Sequence, residues 1–296
     1  MKIYAWIPAL LTVIASTGTV SQADSTEQSQ AGVLNSVIAD QASPDPGGNE
    51  ILQEQAGGYN SAAAIQEAET GSSSSQEQDG FLNEAVTIQQ FGTGNSNRIF
   101  QLGANNTVTS LQLLTYDNGA NVRQIGVGNR ADTNQVLGVG NQLLVNQRGA
   151  LQSAEVEQTG SFTSRAISLQ RGTSNVTRTG QSGSGHQAVH DQDGSLNRSG
   201  SSQAGLANEL ESVQSGISNT ANVVQEDFYN NAQLSQDGFL NGARVIQTGV
   251  FNQGGSHLAI IQQAGQLNDV QVIQSGLSST TIVTQIGSGN SVSLRN

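Results

Sequence analysis

The stretch from Gln236 to Gln247, QDGFLNGARVIQ, restricts the possible folds most strongly because copies of it recur along most of the chain. It opens with Gln-x-Gly-x-x-Asn and continues as x-Ala-x-Val-x-Gln, an alternation with period two. Gly238 and Asn241 are residue types that tolerate positive φ, so they predict a tight reversal of the chain. The alternation that follows predicts a strand with Ala243 and Val245 on one face.

Nearly the same sequence, QDGFLNEAVTIQ, occurs at residues 78–89, and a closing glutamine then returns every 11 or 12 residues. From Gln101 to Gln170 the two steps alternate, which gives a double unit of 23 residues. An insertion lies around Asn252 to Gly255. We expect the series to continue from there through Gln262, Gln274 and Gln285.

An arc of this length supplies one strand of about six or seven residues and one tight turn. Two arcs then form a flat coil that stacks on the next coil at about 4.8 Å. Counted from Gln30, about 23 arcs give eleven or twelve coils and a rod of roughly 55 Å. We therefore predict an all-β fold, a parallel β-solenoid with two strands per coil, built from 11–12-residue arcs in 22–23-residue repeats.

The inward face of each predicted strand carries amides at its ends and small apolar groups between them. A buried amide is costly unless its donor and acceptor are both paired, and identical residues one coil apart can pair with each other. We predict a structural amide ladder of Asn83, Gln89, Asn95, Gln101, Asn118, Gln124, Asn129, Gln135, Asn219, Gln225, Asn230, Gln236, Asn241, Gln247, Asn268, Gln274 and Gln285. The predicted turn glycines are Gly80, Gly92, Gly103, Gly126, Gly149, Gly160, Gly172, Gly194, Gly205, Gly216, Gly238, Gly249, Gly265, Gly276 and Gly287.

Composition agrees with a thin, partly polar core. Only 35% of the chain is apolar and 4% aromatic, while charged residues make up 11%. This mixture is too poor for a thick core and too weakly charged for a typical disordered chain. The chain has no cysteine, so disulfides, thiolate metal sites and cysteine nucleophiles are excluded.

The formal net charge is −12, and every charged residue between Asp24 and Glu84 is acidic. The first arginine is Arg98, and the basic residues form no evident patch. We therefore expect no binding to nucleic acid, because contacts to phosphate supply most of that affinity. Solubility explains the acidic segment better than docking of a specific partner does.

Three regions follow from these patterns. Residues 1–23 combine a positive start, an apolar run and a small-x-small site, which predicts a secretory signal peptide. Residues 24–77 form an acidic segment of degenerate repeats, interrupted at Pro44 and Pro46. We expect a loop at Gly71 to Ser75. Residues 78–296 carry the regular repeats.

The repeat resembles the curlin family, the subunits of bacterial curli amyloid fibres. The family pattern Gln-x-Gly-x-x-Asn-x-Ala-x-x-x-Gln is matched by the repeats that begin at Gln78, Gln124, Gln214 and Gln236. Gln-x-Gly occurs in nearly every turn, which is more similar to the minor, nucleating curlin than to the major subunit. The chain also has more repeats than the short members of the family.

The resemblance implies a secreted structural protein that assembles, or nucleates assembly, into extracellular fibres of the biofilm matrix and in adhesion. It implies passage through the periplasm and a dedicated outer-membrane pore with its periplasmic accessory proteins. The partners would be other copies and other curlin subunits. From physics alone, the coil that ends at Asn296 has no evident cap, so we expect growth by end-to-end β-pairing.

No enzyme, cofactor or small-molecule substrate is expected. His186 and His190 form the one close histidine pair, but on a strand they would lie roughly 13 Å apart, too far to share one metal ion. Asp191 and Asp193 are expected in a turn. Glu155 with Glu157, and Glu209 with Glu211, are best explained as isolated pairs on a solvated face.

The stretch from Gly172 to Ser202 places polar groups inward, namely Thr177, Thr179, His186, His190, Ser199 and Ser201. A weak core there could slow assembly during export, and sequence drift explains it equally well. On the first explanation, valine at positions 199 and 201 would shorten the lag before fibres form.

The alternative function is a monomeric solenoid binding module, such as an adhesin or an ice-binding protein. An ice-binding face would carry regular Thr-x-Thr rows, whereas the outward positions here are mixed, for example Arg244, Ile246 and Glu84. The fibre-forming function is favoured.

Overall fold

Two parallel β-sheets face each other along the length of the molecule, and the chain alternates between them strand by strand. The computed structural model describes residues 24–43, 47–249 and 255–296 and the backbone of Thr12 and Val13. Within these residues all regular elements are strands. The predicted signal peptide, apart from those two backbone positions, and Pro44 and Pro46 lie outside the described residues.

The odd-numbered strands form one sheet: β1 (Thr12–Val13), β3 (Ser36–Ala42), β5 (Ser61–Glu67), β7 (Glu84–Gln90), β9 (Thr107–Leu113), β11 (Arg130–Val136), β13 (Ser153–Phe162), β15 (Val176–Ser184), β17 (Arg198–Leu206), β19 (Thr220–Glu226), β21 (Gly242–Thr248), β23 (Asp269–Ser275) and β25 (Ser291–Arg295). The even-numbered strands form the other: β2 (Ser25–Val33), β4 (Glu50–Gly58), β6 (Ser73–Phe81), β8 (Ser96–Ala104), β10 (Gly119–Val127), β12 (Gln142–Ala150), β14 (Arg165–Thr173), β16 (Gln187–Ser195), β18 (Glu209–Ile217), β20 (Asn231–Phe239), β22 (Ser256–Gln266) and β24 (Ser278–Ser288).

Each strand pairs in parallel with the strand one coil away, and equivalent repeat positions lie side by side. Between β10 and β12, for example, Gln124 pairs with Gln147 and Gly126 with Gly149. The predicted two-strand parallel β-solenoid with 22–23 residues per turn is therefore confirmed. The acidic segment joins the same two sheets, because β2 to β6 continue into β8 without a break in pairing.

The expectation of a loop at Gly71 to Ser75 is wrong. β6 begins at Ser73, and Ser72 and Ser74 are buried. Strands β4 and β8 flank β6 and pair with its backbone, and that pairing does not depend on apolar side chains. Asp191 and Asp193 also lie in a strand, because β16 extends to Ser195.

Small apolar side chains fill the narrow space between the sheets in separate clusters. One cluster spans the coils from Ala85 to Ala166, and a second spans those from Leu210 to Val283. Each strand points alternate residues inward, so the core is only two side chains thick. The amides at the strand ends close it on both sides.

The tight reversals differ in one detail from the prediction. Gly238 has φ 120°, but the second left-handed residue is Leu240 at 53°, not Asn241. Leucine in this conformation costs of order 1 kcal/mol. The buried Asn241 side chain makes hydrogen bonds to neighbouring coils, and these offset that cost.

Candidate functional site

Two columns of glutamines run along the interior, one in each sheet, and all their members are buried except the half-buried Gln30. Nε2 of each glutamine donates to Oε1 of the glutamine one coil further along, at distances from 2.6 Å (Gln55 to Gln78) to 3.0 Å (Gln30 to Gln55). The column of the odd-numbered sheet contains Gln41, Gln66, Gln89, Gln112, Gln135, Gln158, Gln181, Gln203, Gln225, Gln247 and Gln274. The column of the even-numbered sheet contains Gln30, Gln55, Gln78, Gln101, Gln124, Gln147, Gln170, Gln192, Gln214, Gln236, Gln263 and Gln285.

The second hydrogen of these amides joins the two sheets. Gln101 Nε2 donates to the Glu84 carbonyl at 2.9 Å, and Gln124 Nε2 donates to the Thr107 carbonyl at 3.1 Å. Both donors of such an amide are used, which removes the cost of burying it.

The glutamine columns have a direction. In every one of these Gln–Gln bonds the donor lies in the coil nearer the N-terminus and the acceptor in the following coil. A coil therefore offers donors on one side and acceptors on the other. Two copies can continue such a column only in head-to-tail order.

Asparagines form a further column at the corner where each even-numbered strand turns into the next strand. Asn241 Nδ2 donates to the Gly265 carbonyl of the next coil, and Asn241 Oδ1 accepts from the Asn268 backbone N–H at 3.2 Å. The column contains Asn35, Asn60, Asn83, Asn106, Asn129, Gln152, Asn175, Asn197, Asn219, Asn241, Asn268 and Asn290.

The opposite corner has its own column, in which the backbone N–H of each member donates to the side chain of the member before it. Its members after Asn49 are Ser72, Asn95, Asn118, Asn141, Ser164, His186, Asn208, Asn230 and His257. All the asparagines and glutamines that the sequence assigned to the ladder lie buried in one of these four columns.

Glycines at the corner that follows each even-numbered strand allow neighbouring coils to approach closely. A Cβ on Gly238 would lie 1.9 Å from the Gly265 carbonyl oxygen, well inside van der Waals contact. Among the predicted turn glycines, those with left-handed φ are Gly80, Gly103, Gly126, Gly149, Gly160, Gly172, Gly194, Gly205, Gly216, Gly238, Gly265, Gly276 and Gly287.

The remaining two predicted turn glycines are Gly92 and Gly249. Gly92 does not have left-handed φ, because its neighbour Phe91 takes that conformation at 58°. Gly249 is the last described residue before the segment 250–254.

The glutamine expected at position 262 is wrong by one residue. Gln262 is exposed, whereas Gln263 is buried, accepts from Gln236 and donates to Gln285. The insertion before β22 lengthens this step to 27 residues, so a constant period misplaces the next rung. Gly265 and Asn268 follow Gln263 at the motif spacing, and this signal identifies it in the sequence.

His186 does not lie on a strand with His190. It takes the place of an asparagine in the column at the corner that follows the odd-numbered strands. Its Nδ1 accepts from the Asn208 backbone N–H at 3.3 Å, and its Nε2 lies 3.0 Å from the Ser182 carbonyl. The neutral ring with hydrogen on Nε2 thus reproduces the acceptor and donor of an amide. Burial lowers the pKa of His186, which favours this neutral form.

His190 lies in the centre of the rod. Its Nδ1 and Nε2 lie 2.6 Å and 2.9 Å from the hydroxyls of Ser199 and Ser201 in the facing sheet. Complete burial lowers the pKa of His190 to about 4. We name the inward polar group around it the polar belt. The polar belt contains Ser168, Thr177, Thr179, His190, Ser199, Ser201 and Ser212.

A buried carboxyl group was not anticipated. Glu69 is fully buried, and its Oε2 accepts from Ser72 Oγ at 2.6 Å and from Asn95 Nδ2 at 3.0 Å. Burial raises the pKa of Glu69. In the sequence, Glu69 lies three residues after Gln66 and three before Ser72, a member of the column at the corner after the odd-numbered strands. This position is the signal that could have identified it.

The expectation that the chain has no basic patch is also wrong. The outer face of β8, β10, β12 and β14 brings together five arginines, which we name the arginine band. The arginine band contains Arg98, Arg123, Arg148, Arg165 and Arg171. Glu155, Glu157, Glu209 and Glu211 are exposed.

Among the described residues, no three histidine, aspartate or glutamate side chains form a group suited to a metal ion. The described part of the chain contains no helix long and apolar enough to span a membrane. The chain matches no protein-family model, and a search of curated proteins finds no relative.

Proposed function

We propose that this chain is a structural protein that forms fibres, in which one copy stacks on the next and the ladders continue across the junction. The observation that carries the proposal is that successive coils make the same directional contacts. A contact that holds two coils of one copy together can therefore also join coils of two copies. Such a head-to-tail contact does not close on itself, so it produces filaments.

The coil formed by β24 and β25 presents the donor side of this contact. Among described residues, Gln285 Nε2 donates one hydrogen bond, to the Asp269 carbonyl, whereas Gln263 Nε2 donates two. The nearest atom to a Cβ on Gly287 is 3.9 Å away, so the place of a next-coil carbonyl is open. Leu294, opposite Val272 in the pairing, is 38% exposed.

The acceptor side is presented in the even-numbered sheet, where β2 is the first strand, whereas β3 of the same coil pairs with β1. Gln30 Nε2 donates forward to Gln55 at 3.0 Å, and no described residue donates to Gln30 Oε1. Gln28 likewise donates to Gln53 and is half-buried. Stacking Gln285 of one copy against Gln30 of the next would extend the even-numbered glutamine column with its direction unchanged.

The resemblance of the repeat to curlins supports the same function. It extends the proposal to export through the periplasm and an outer-membrane pore, with accessory proteins, and to fibres that serve biofilm matrix and adhesion. Detection of fibres of this chain outside a producing bacterium, lost when residues 1–23 are removed, tests the export part separately.

The assembly experiment uses purified residues 24–296. We expect thioflavin binding, unbranched fibres by negative-stain electron microscopy, and a diffraction spacing of about 4.8 Å along the fibre axis. Leu294→Arg places a charge on the face between copies and should slow elongation strongly. Ser293→Arg adds the same charge on the outward side of β25 and should elongate normally. A permanently monomeric, thioflavin-negative protein, or equal elongation by both variants, would contradict the proposal.

A further inference from the structure

Charges on the outer face of the even-numbered sheet are sorted by sign along the rod. The arginine band on β8 to β14 contains no acidic residue among its outward positions. A first acidic band on β2 to β6 contains Glu27, Glu50, Glu54, Glu77 and Asp79. A second acidic band on β16 to β20 contains Asp191, Asp193, Glu209, Glu211 and Asp237.

The middle of the odd-numbered sheet shows no such sorting. On its outer face Arg130 pairs with Asp132 at 2.7 Å and Arg178 with Glu155 at 2.9 Å, so opposite charges are mixed and neutralise each other locally. Both faces are built from the same repeat. The bands are therefore a property of one face and not of the repeat.

Apolar side chains lie where the arginine band meets the second acidic band. They are outward residues of β12 to β18, and all are at least partly exposed. We name them the apolar patch: Leu144, Ile167, Leu169, Val189 and Val213. At the same boundary Arg171 lies 3.4 Å from Asp191 of its own chain, which shows that the two bands are in contact range.

We propose that two copies pair face to face through the even-numbered sheet, with the rods antiparallel and the apolar patch at the centre. The two-fold axis lies in the interface, along the strand direction, between β14 and β16. This axis places β14 of one copy across from β16 of the other, β12 across from β18 and β10 across from β20. Each arginine band then faces the second acidic band of the other copy, so the surface is complementary to itself.

Individual contacts follow from the register of β14 and β16. Ile167 lies opposite Val189 of the second copy, and Arg171 opposite Asp193 of the second copy, because these residues occupy the same columns. The same register places Leu169 opposite Asp191 and Leu144 opposite Glu211 of the second copy. The apolar centre is therefore the Ile167–Val189 contact with charges around it, an arrangement typical of protein–protein interfaces. In this arrangement the strands of the two facing sheets run parallel. Sheets that pack face to face commonly keep their strand directions within about 30° of each other.

The size of the surface predicts a reversible pair. Six strands about 4.8 Å apart and seven residues of about 3.3 Å give a face of about 29 Å by 23 Å, or roughly 650 Å². This is somewhat below the roughly 800 Å² per partner of a standard stable interface. We expect pairing to weaken as salt rises, because the screening length falls from about 8 Å at 0.15 M to about 3 Å at 1 M.

A second copy fits this face better than a long polyanion does. A nucleic acid or acidic polysaccharide that follows the rod would cross from the arginine band onto an acidic band in either direction. The arginine band spans four strands, about 19 Å of the rod, and can neutralise only a short segment of such a polymer. The second acidic band, in contrast, has no role in binding a polyanion but is half of the contact in a pair.

The test compares two double variants with the same change in charge. Arg148→Glu with Arg171→Glu alters the arginine band, and Arg198→Glu with Arg244→Glu alters exposed arginines of the odd-numbered sheet. Pairing is measured as filament width by electron microscopy, and as mass by sedimentation velocity on freshly purified soluble rods. The second measurement does not depend on end-to-end growth, so failure of the proposed function would leave it intact.

For the wild-type chain and the odd-sheet variant we expect paired filaments and a dimer that dissociates in 1 M salt. For the arginine-band variant we expect single filaments and a dissociation constant higher by about tenfold or more. Mixing that variant with Asp193→Arg/Asp237→Arg chains, whose changed residues occupy the same strand position as Arg148 and Arg171, should restore pairing. Unpaired wild-type rods, equal effects of both double variants, no restoration on mixing, or tight binding of duplex DNA by unpaired rods would each overturn the proposal.

Discussion

Gln124 Nε2 lies 2.8 Å from Gln147 Oε1, and both side chains are completely buried one coil apart. Gln147 in turn donates to Gln170 at 2.8 Å. Each rung is thus an acceptor for one neighbour and a donor to the other. Loss of the Gln147 side chain breaks three hydrogen bonds, because its Nε2 also donates to the Arg130 carbonyl at 2.9 Å, and it leaves an N–H of Gln124 and Oε1 of Gln170 without partners.

We expect Gln147→Met to destabilise the chain by about 1–3 kcal/mol for each group left without a partner, because methionine keeps the volume but not the amide. The matched control is Gln142→Met, an exposed position on the same strand β12. Urea unfolding of soluble protein measures the difference. Equal unfolding midpoints for the two variants would show that the column contributes nothing to stability.

Two glycines of β10 test the close approach of coils. Gly126 has φ 131°, and a Cβ there would lie 1.9 Å from the Gly149 carbonyl oxygen, whereas Gly119 has no atom within 4 Å of its Cβ position. Gly126→Ala should therefore cost more than about 2 kcal/mol through strain and steric overlap. Gly119→Ala should be neutral or stabilise by about 0.4–1 kcal/mol. Thermal unfolding of both variants measures this, and a tolerated Gly126→Ala would contradict the stacking of coils.

The fold could be predicted from the repeat because each residue of the motif occupies one fixed position in the coil. Asn268, Val270, Val272 and Gln274 were predicted inward from the alternation alone, and all four are buried. A one-residue error would turn a whole strand inside out, so the period of two fixes the inward face. Gln262 shows the limit, because an insertion changes the step and only the motif around Gln263 restores it.

Other features depend on which residues lie side by side rather than on which are consecutive. Arg98, Arg123, Arg148 and Arg171 are 23 to 25 residues apart in the sequence, so they form no charged run, yet they occupy adjacent strands. Aligning the sequence one coil per line would have revealed them. The role of His186 could not be predicted in this way, because it depends on which ring nitrogen carries hydrogen.

Protonation of His190 should destabilise the fold in acid. Its pKa is lowered from the ordinary 6.5 to about 4 by burial, so the unfolded chain binds the proton more tightly than the folded chain. The stability that depends on the neutral ring is complete above pH 6.5 and decreases as pH falls toward 4, by up to about 3 kcal/mol in total. The inward residues around the ring are Ser168, Ser199, Ser201 and Ser212, none of which titrates in this range.

The variant His190→Ser removes this dependence and matches the serines on both neighbouring strands. We expect the stability difference between wild type and variant to change between pH 7 and pH 4. All other titrating groups contribute equally to both proteins and cancel in the comparison. Parallel pH profiles of the two unfolding free energies would show that His190 does not titrate across folding.

The polar belt permits a test of whether a weak core slows assembly. Valine at positions 199 and 201 alone would leave both ring nitrogens of His190 without partners, so that simple test is confounded. The coil of β20 and β21 suggests a better design, because Leu234, Ala243 and Val245 occupy the equivalent positions there. The corresponding change is His190→Leu with Ser199→Ala and Ser201→Val.

We expect this triple variant to be more stable by about 1–3 kcal/mol, because buried methyl and methylene groups replace a buried polar cluster. The lag before thioflavin-positive fibres form should also shorten, since the two apolar clusters become continuous through the centre of the rod. The control is His190→Ser, which keeps the belt polar and should keep the lag at neutral pH. A more stable triple variant with an unchanged lag would mean that the polar belt reflects sequence drift and does not restrain assembly.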